Sequence, residues 1–149
     1  MTNEKEKSGA GEHVILHIDG KRVGLPVKDV HDVLAPHKAT SIPLSSEHNL
    51  GAINLRGRIV TLISTRRILG LPGEDDPGKD MSAVVERDGH SYAFCAERID
   101  EVIDADVIST LPPTLEKRWR DASTGGFKTD SDVIVLFDTD ALLKLATME

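Results

Sequence analysis

The sequence is poor in cysteine and in aromatic residues, and each shortage excludes a way of stabilising a small protein. Cys95 is the single cysteine among 149 residues, so no disulfide can form within the chain. It stands in an apolar run, which indicates a buried thiol rather than a nucleophile. Phe, Trp and Tyr together make up 3% of the residues, so Val, Ile and Leu have to fill the core.

Long hydrophobic runs and an excess of positive charge are also missing. No run approaches the roughly 20 apolar residues of a membrane-spanning helix, and residues 1–11 lack the apolar segment of a signal peptide. The formal net charge is −7, from 18 basic and 25 acidic residues. This balance disfavours nucleic acid and anionic membrane surfaces as partners. We therefore expect a cytoplasmic protein without nucleic-acid binding or direct membrane insertion.

Sequence patterns for catalysis are absent as well. There is no Gly-rich phosphate loop with its lysine, no serine elbow and no His-Glu-x-x-His helix. The six histidines are dispersed, which is a poor start for zinc, and the acidic residues of 72–80 lack the spacing of a calcium loop. We predict no enzyme, no catalytic residue, no metal and no cofactor. An enzyme assembled from scattered His and acidic residues stays the alternative from another functional class.

What the chain does contain is an internal repeat. A shift of 69 residues places Asp19-Gly20 on Asp88-Gly89 and Pro43 on Pro112, and a shift of 74 then places Ile59 on Val133. In each half the sequence predicts the same order of elements: strand, hairpin, strand, helical turn, extended segment ending at proline, strands and a short helix. Two halves of about five short strands each predict a mostly β fold of two small closed barrels, which hide their sheet edges by closure.

The repeat and the composition together suggest segment boundaries, which are as follows: a disordered tail at 1–11, a first barrel at about 12–71 plus chain crossovers, a linker at 72–80, a second barrel at about 81–137 and a terminal helix at 139–146. Apolar residues in 27–34 and in 99–103 recur at steps of three and four, which predicts helical or loose turns there. Segments that end at a proline are expected to be extended, namely 39–42 and 108–111.

The hairpin and short helix within 51–71 form the most hydrophobic part of the chain. The turn Asn54-Leu55-Arg56-Gly57 fits a three-residue loop with positive φ at its glycine. Apart from Thr61, residues 59–63 are apolar on both faces, so neither face is expected to be fully solvated. Ser64 or Thr65 can cap the helix that follows, and Gly70 suits its left-handed exit.

Arg56 is the unexpected residue of this hairpin, because it is a charge at the tip of an apolar element. It is either a solvated turn residue or a fixed donor fork aimed at a partner. The second half of the repeat lacks the Asn-Leu-Arg-Gly turn, and this asymmetry favours the functional interpretation.

With these residues in view, the sequence resembles the CheW family of bacterial chemotaxis adaptors over roughly residues 12–146. Residues 51–60, Gly-Ala-Ile-Asn-Leu-Arg-Gly-Arg-Ile-Val, look like the family's Gly-Val-x-Asn-Leu-Arg-Gly-x-Ile-x. The family's fold is two five-stranded SH3-like barrels, in agreement with the repeat. Thr61, Ser64 and Thr65 replace the Pro, Asp and Leu that are usual after the hairpin. Whether the chain is the main adaptor of its cell or a diverged paralogue therefore stays open.

The resemblance implies a non-enzymatic adaptor that couples the cytoplasmic tip of a chemoreceptor to the regulatory domain of a histidine autokinase, and so controls the kinase at membrane-associated receptor arrays. The alternative is a CheW-like interaction module of a non-chemotactic or accessory kinase cluster. The residues that the resemblance assigns to receptor or kinase binding are Val30, Asp32, Val33, Gly51, Asn54, Leu55 and Arg56. Core packing is the competing role for Val30 and Val33, and turn stabilisation is the competing role for Asn54.

Overall fold

The computed structural model describes residues 11–36, 49–105 and 111–147. The strands are β1 (Gly11–Ile18), β2 (Lys21–Pro26), β3 (Asp32–Leu34), β4 (Asn49–Leu55), β5 (Arg58–Ile63), β6 (Met81–Arg87), β7 (His90–Ala96), β8 (Arg98–Ala105), β9 (Ser123–Lys128) and β10 (Val133–Phe137). The helices are α1 (Thr65–Leu69), α2 (Lys117–Ala122) and α3 (Thr139–Thr147), with a single 3-10 turn at Val27–Asp29. The tail at 1–10 and the extended segments predicted at 39–42 and 108–110 lie outside the described residues.

Two five-stranded sheets make up the fold, in the orders β8-β1-β2-β10-β9 and β3-β6-β7-β5-β4. The mostly β class predicted from the sequence is confirmed. The two orders correspond strand for strand, because the hairpin β1–β2 takes the place in one sheet that β6–β7 takes in the other. In both sheets a parallel pair joins this hairpin to the next one, β2 with β10 and β7 with β5. The internal repeat is thus visible in the topology.

The strand pairing differs from a partition into one barrel per half of the chain. The first sheet combines β1 and β2 with β8, β9 and β10, and the second combines β6 and β7 with β3, β4 and β5. Each half therefore contributes its first hairpin to the sheet that the other half completes. Each parallel pair joins one strand from each half, β2 with β10 and β5 with β7. Closure of each sheet into a barrel stays a prediction.

Three hairpins turn through two residues with positive φ, the backbone that matches the twist of the flanking strands. The turns are Asp19-Gly20 (φ 52° and 73°), Arg56-Gly57 (53° and 86°) and Asp88-Gly89 (53° and 80°). The three-residue loop predicted after Asn54 is therefore wrong. Leu55 pairs directly with Arg58, which leaves only two residues in the turn.

The helical spacing predicted for 99–103 is also wrong. These residues belong to β8, an antiparallel partner of β1, with Ile99 and Ala105 buried and Val102 exposed. In 27–34 the prediction is partly right, since a 3-10 turn precedes the short strand β3. Apolar residues three or four positions apart are also compatible with a strand when one of its two faces is only half-buried.

The short helix α1 is capped as the sequence predicts. Ser64 Oγ accepts a hydrogen bond from the backbone N–H of Arg67, and Gly70 ends the helix at φ 69°. No helix in the described ranges is long and apolar enough to cross a membrane.

The apolar core has three parts. Small clusters lie within each sheet's strands, one around Ile15, Ile134 and Leu136, the other around Val60, Leu62 and Cys95. The largest cluster draws side chains from both sheets and from all three helices. The two sheets are therefore held together by a shared core rather than by a surface contact.

Candidate functional site

Arg56 stands at the first turn position of the β4–β5 hairpin with a left-handed backbone (φ 53°). A residue with a Cβ adopts this conformation at a cost of roughly 1–2 kcal/mol, and this turn type favours Asn, Asp or Gly there. The other two hairpins carry Asp at the equivalent position. The strained choice of arginine points to a function, because turn formation alone does not call for it.

The Arg56 side chain meets Asp32, another residue that the resemblance assigned to binding. Arg56 Nη2 donates to Asp32 Oδ2 at 3.1 Å, and the two side chains are 76% and 37% exposed. Because β3 and β4 are the outer strands of the sheet, this ion pair joins its two edges. An exposed pair contributes about 0–1 kcal/mol, and it uses only one of the guanidinium's five N–H donors.

A cavity of about 260 Å³ opens beside this ion pair. Asp32, Leu55 and Arg56 line it together with Arg58, whose guanidinium donates to Glu86 Oε2 at 2.7 Å and to Ser91 Oγ at 3.0 Å. Three of the seven predicted binding residues thus share one concave surface. The other four are Val30, Val33, Gly51 and Asn54, and each of them has a role in folding that accounts for it in part.

Asn54 and Gly51 both serve the backbone of the hairpin. Asn54 Oδ1 accepts from the N–H of Gly57 at 2.9 Å, so its side chain stabilises the turn. Gly51 is buried with φ 127°, at an irregularity in the register between β4 and β5. Its N–H donates to Asn49 Oδ1 at 2.7 Å. Only glycine adopts this φ without strain, so Gly51 is first of all a backbone requirement.

Val30 and Val33 are half-buried and pack against the large shared core. Leu55 is half-buried too, but packs against the cluster within its own sheet. Each of the three contributes to folding and still offers part of its surface to a partner.

Sequence reasoning missed Ile59 as a candidate for binding. Its side chain is 61% exposed, and it pairs with Asn54 across the hairpin. The prediction that neither face of 59–63 is fully solvated agrees with the burial of Ile63 on the same face, but Ile59 itself is exposed at the hairpin end. Val60 and Leu62 point inward, and the strand alternation turns Ile59 outward. Arg58, exposed on the same strand, was the sequence signal that the hairpin end leaves the core.

We define the hairpin-tip surface as Asp32, Leu55 and Arg56, which line the cavity beside the ion pair, whereas Ile59 lies on the opposite face of the hairpin. The surface combines a half-buried leucine and a guanidinium that one carboxylate partly neutralises. Such a surface can hold an apolar side chain of a partner and a carboxylate or carbonyl beside it.

Nothing in the described parts of the chain suggests catalysis at this surface or elsewhere. Cys95 is buried, and burial raises the pKa of its thiol to about 12, so the nucleophilic thiolate is scarce at neutral pH. Residues 11–36, 49–105 and 111–147 contain no group of three or more His, Cys, Asp or Glu side chains arranged to hold a metal ion.

Known proteins similar to this chain share one family. The family model described as CheW-like domain matches residues 12–147. The chain is 24% identical to the chemotaxis protein CheW of Thermotoga maritima over 93% of this chain and 91% of the relative. It is 25% identical to the chemotaxis protein CheW of Helicobacter pylori over 85% and 78% of the two chains.

A solved structure agrees with this family assignment. The crystal structure of the scaffolding protein TtCheW from Thermoanaerobacter tengcongensis is similar with a TM-score of 0.73 and 27% sequence identity. The similarity covers 87% of this chain and 89% of that one.

Proposed function

The chain belongs to the CheW-like domain family, and from this premise we propose that it couples the cytoplasmic tip of a chemoreceptor to the regulatory domain of a histidine autokinase. Its role as a chemotaxis scaffold without chemistry of its own follows from the family. The two partners, the surface that contacts them and recruitment from the cytoplasm to receptor arrays at the membrane are the proposal.

One observation carries the assignment of the contact surface. Arg56 has a strained backbone in a turn where the other two hairpins have Asp, and its exposed guanidinium lies beside Asp32. Neither feature is needed for folding. A binding role accounts for both.

The chemistry of the hairpin-tip surface suits a helical partner. Leu55 offers apolar contact to the stripe of an amphipathic helix. The free N–H donors of Arg56 can bind a carboxylate, or the carbonyl groups that are left without partners at a helix end. Arginine and large apolar anchors are the residue types that commonly dominate binding energy at interfaces.

The test is co-sedimentation with receptor-containing membranes and the kinase, with kinase activity measured with and without this chain. Arg56→Ala is expected to keep the fold and to weaken binding of receptor or kinase by roughly 1–3 kcal/mol. Arg98→Ala is the matched control, since its guanidinium is similarly exposed (58%) but lies on β8 of the other sheet. Full binding of both partners by Arg56→Ala would sink the assignment of this surface.

The variant Val30→Asp separates a contact of Val30 with the receptor from a role of Val30 in core packing. If Val30 contacts the receptor, the variant loses receptor binding and keeps its β-sheet circular dichroism spectrum. Unfolding of the variant would instead mark Val30 as a core residue. If the parent chain binds a kinase but no chemoreceptor, the alternative of a module in a non-chemotactic kinase cluster replaces the proposal.

A further inference from the structure

A second cavity, of about 470 Å³, lies between the β1–β2 turn, the end of α1, the start of α2 and the start of β10. Its volume is within the range of small-ligand pockets. None of its lining residues belongs to the hairpin-tip surface. Nothing in the adaptor function proposed above uses this cavity.

The floor of the cavity is part of the apolar core. Leu69 and Trp119 line it, are only 1% and 6% exposed, and belong to the large cluster that the two sheets share. The Trp119 ring packs against Phe137, with 5.7 Å between the ring centroids. Half-buried apolar residues continue the wall toward solvent, namely Leu71, Pro112, Leu115 and Val133. A ligand in this cavity would therefore cover apolar surface that water now contacts, which favours binding of an apolar group.

The polar groups nearest to this floor already have partners. Trp119 Nε1 donates to the carbonyl oxygen of Leu69 at 2.8 Å, and the carbonyl oxygen of Pro112 accepts from the N–H of Leu115 at 3.1 Å. A ligand that displaces water from the floor thus leaves neither of these groups without a hydrogen bond. The part of the ligand that contacts the floor is expected to be apolar, because a polar group there would lose its own hydrogen bonds to water.

Most of the charged side chains in the wall are paired as well. Arg22 Nη2 donates to Asp132 Oδ1 at 2.9 Å, and the Glu116 carboxylate lies 3.3 Å from Arg118 Nε. The ammonium of Lys21 is the exception, since it has no counter-charge among the described residues and lies at the exposed end of the wall. The exposed Thr114 hydroxyl also lines the cavity without a hydrogen-bond partner in the described ranges.

We propose that this cavity binds a small molecule with an apolar body and a single carboxylate. The body contacts the floor, and the carboxylate accepts hydrogen bonds from the Lys21 ammonium and the Thr114 hydroxyl. A cationic head group is disfavoured, because both carboxylates of the wall already pair with arginines. A molecule that is polar throughout is disfavoured by the apolar floor.

Trp119 makes the site directly observable, because it is the single tryptophan of the chain and lines the cavity. The full chain is titrated with octanoate, without membranes, and the fluorescence emission of Trp119 is recorded. Octylammonium has the same apolar body with the opposite charge, and acetate has the same head group without the body. We expect a saturable change with octanoate, several-fold weaker binding of octylammonium and no change with acetate at the same concentrations.

Two variants link the signal to the proposed contacts. Lys21→Gln is expected to weaken octanoate binding about threefold, the effect of one exposed ion pair, and to leave octylammonium binding unchanged. Leu115→Gln removes part of the apolar wall and should weaken the binding of both compounds. Lys28→Gln removes the charge of an exposed lysine outside the cavity and is the matched control, with no effect expected.

Three results would overturn the site: no saturable change with octanoate, equal affinity for octanoate and octylammonium, or unchanged octanoate affinity in Lys21→Gln. Binding of receptor and kinase by Leu115→Gln is measured in parallel. Loss of either partner, with Trp119 emission insensitive to octanoate, would show that the cavity is a protein contact rather than a small-molecule site.

Discussion

At the scale of single residues, the proposal that Arg56 binds a partner depends on the backbone conformation that it adopts. Arg56 has a left-handed φ of 53°, and the two other hairpins of the same kind have Asp at this turn position. The ion pair with Asp32 is exposed and returns little of this cost. The residue is thus unfavourable for folding, and the proposed gain is in binding.

Arg56→Asn should therefore stabilise the fold and weaken binding together. Asn is favoured at this turn position, and relief of about 1 kcal/mol of strain exceeds the loss of an exposed ion pair worth about 0.2–1 kcal/mol. We expect the free energy of unfolding in urea to rise by roughly 0.5 kcal/mol. Binding of the receptor or kinase, measured on the same sample, should weaken by roughly 1–3 kcal/mol.

The matched control for this experiment is Asp88→Asn in the β6–β7 turn. Asp88 has the same φ of 53° but is already a favoured residue there, so the substitution is expected to leave stability and binding unchanged. A lower stability of Arg56→Asn would show that the pair with Asp32 outweighs the strain. The left-handed backbone would then not be a cost carried for function.

The binding surface was only partly predictable from single residues. The Asn-Leu-Arg-Gly turn singled out Arg56, and the turn role of Asn54 was a stated alternative that its bond to Gly57 bears out. The pairing of Arg56 with Asp32 was not predictable, because it joins two sheet edges that meet only through the exchanged strand order. Ile59 was missed because it stands in an apolar run, although the charged Arg58 beside it signals that this end of the strand leaves the core.

At the scale of elements, the segment predicted as a linker at 72–80 is fastened to α1 by Asp75. The Asp75 side chain is fully buried, and its Oδ2 accepts from Ser64 Oγ at 2.6 Å and from the N–H of Arg66 at 3.1 Å. Arg66 also donates to the carbonyl oxygen of Pro72 at 2.7 Å and pairs with Glu97. The segment between the halves thus completes the cap of the helix.

This burial has a consequence for the pH dependence of stability. Burial raises the pKa of Asp75 above its ordinary 3.8, against the opposing effects of Ser64 and Arg66. Between 3.8 and the raised pKa, the folded chain holds a proton that the unfolded chain has released. Asp75 therefore favours folding most at low pH, and this contribution falls as pH rises through that window. Relative to Asp75→Asn, the parent chain is expected to lose stability over this range.

The measurement is urea unfolding of both proteins from pH 3 to 7. Asp132→Asn is the opposite control, because hydrogen bonds from Thr129 and Arg22 lower the pKa of Asp132. The contribution of Asp132 is therefore present above 3.8 and lost as pH falls through the lowered pKa. A stability difference between the parent and Asp75→Asn that does not change with pH would show that the carboxylate has its ordinary pKa.

Elements could be predicted from the sequence where a few adjacent residues determine them, but not where pairing with a distant strand determines them. The three Gly-ending turns, the cap at Ser64 and the exit at Gly70 depend on a few adjacent residues, and the sequence was sufficient to find them. Strand β8 was mistaken for a helical turn. Its extended form depends on pairing with β1, which precedes it by more than 80 residues, and no local pattern records such a partner.

At the scale of the whole molecule, the exchanged hairpins make the two sheets interdependent. Each sheet takes two strands from one half of the chain and three from the other. The largest core cluster also spans both halves, from Leu16 and Ile63 to Phe94 and Leu143. A half of the chain on its own holds five strands but no complete sheet. This arrangement suits a scaffold, because surfaces on the two sheets keep a fixed relation to each other.

We therefore predict that the halves fold only together. Separate chains of residues 1–78 and 79–149, divided after Gly78 so that Asp75 stays with α1, should each lack a β-sheet spectrum and a cooperative thermal transition. Mixed in equal amounts, they should recover both, with a midpoint that rises with concentration because folding is now an association. The intact chain should unfold in one transition, since neither sheet survives the loss of the other half's strands. A fragment that folds alone at low concentration, or two separate transitions in the intact chain, would show that each half carries a sheet of its own and that the exchange is not needed for stability.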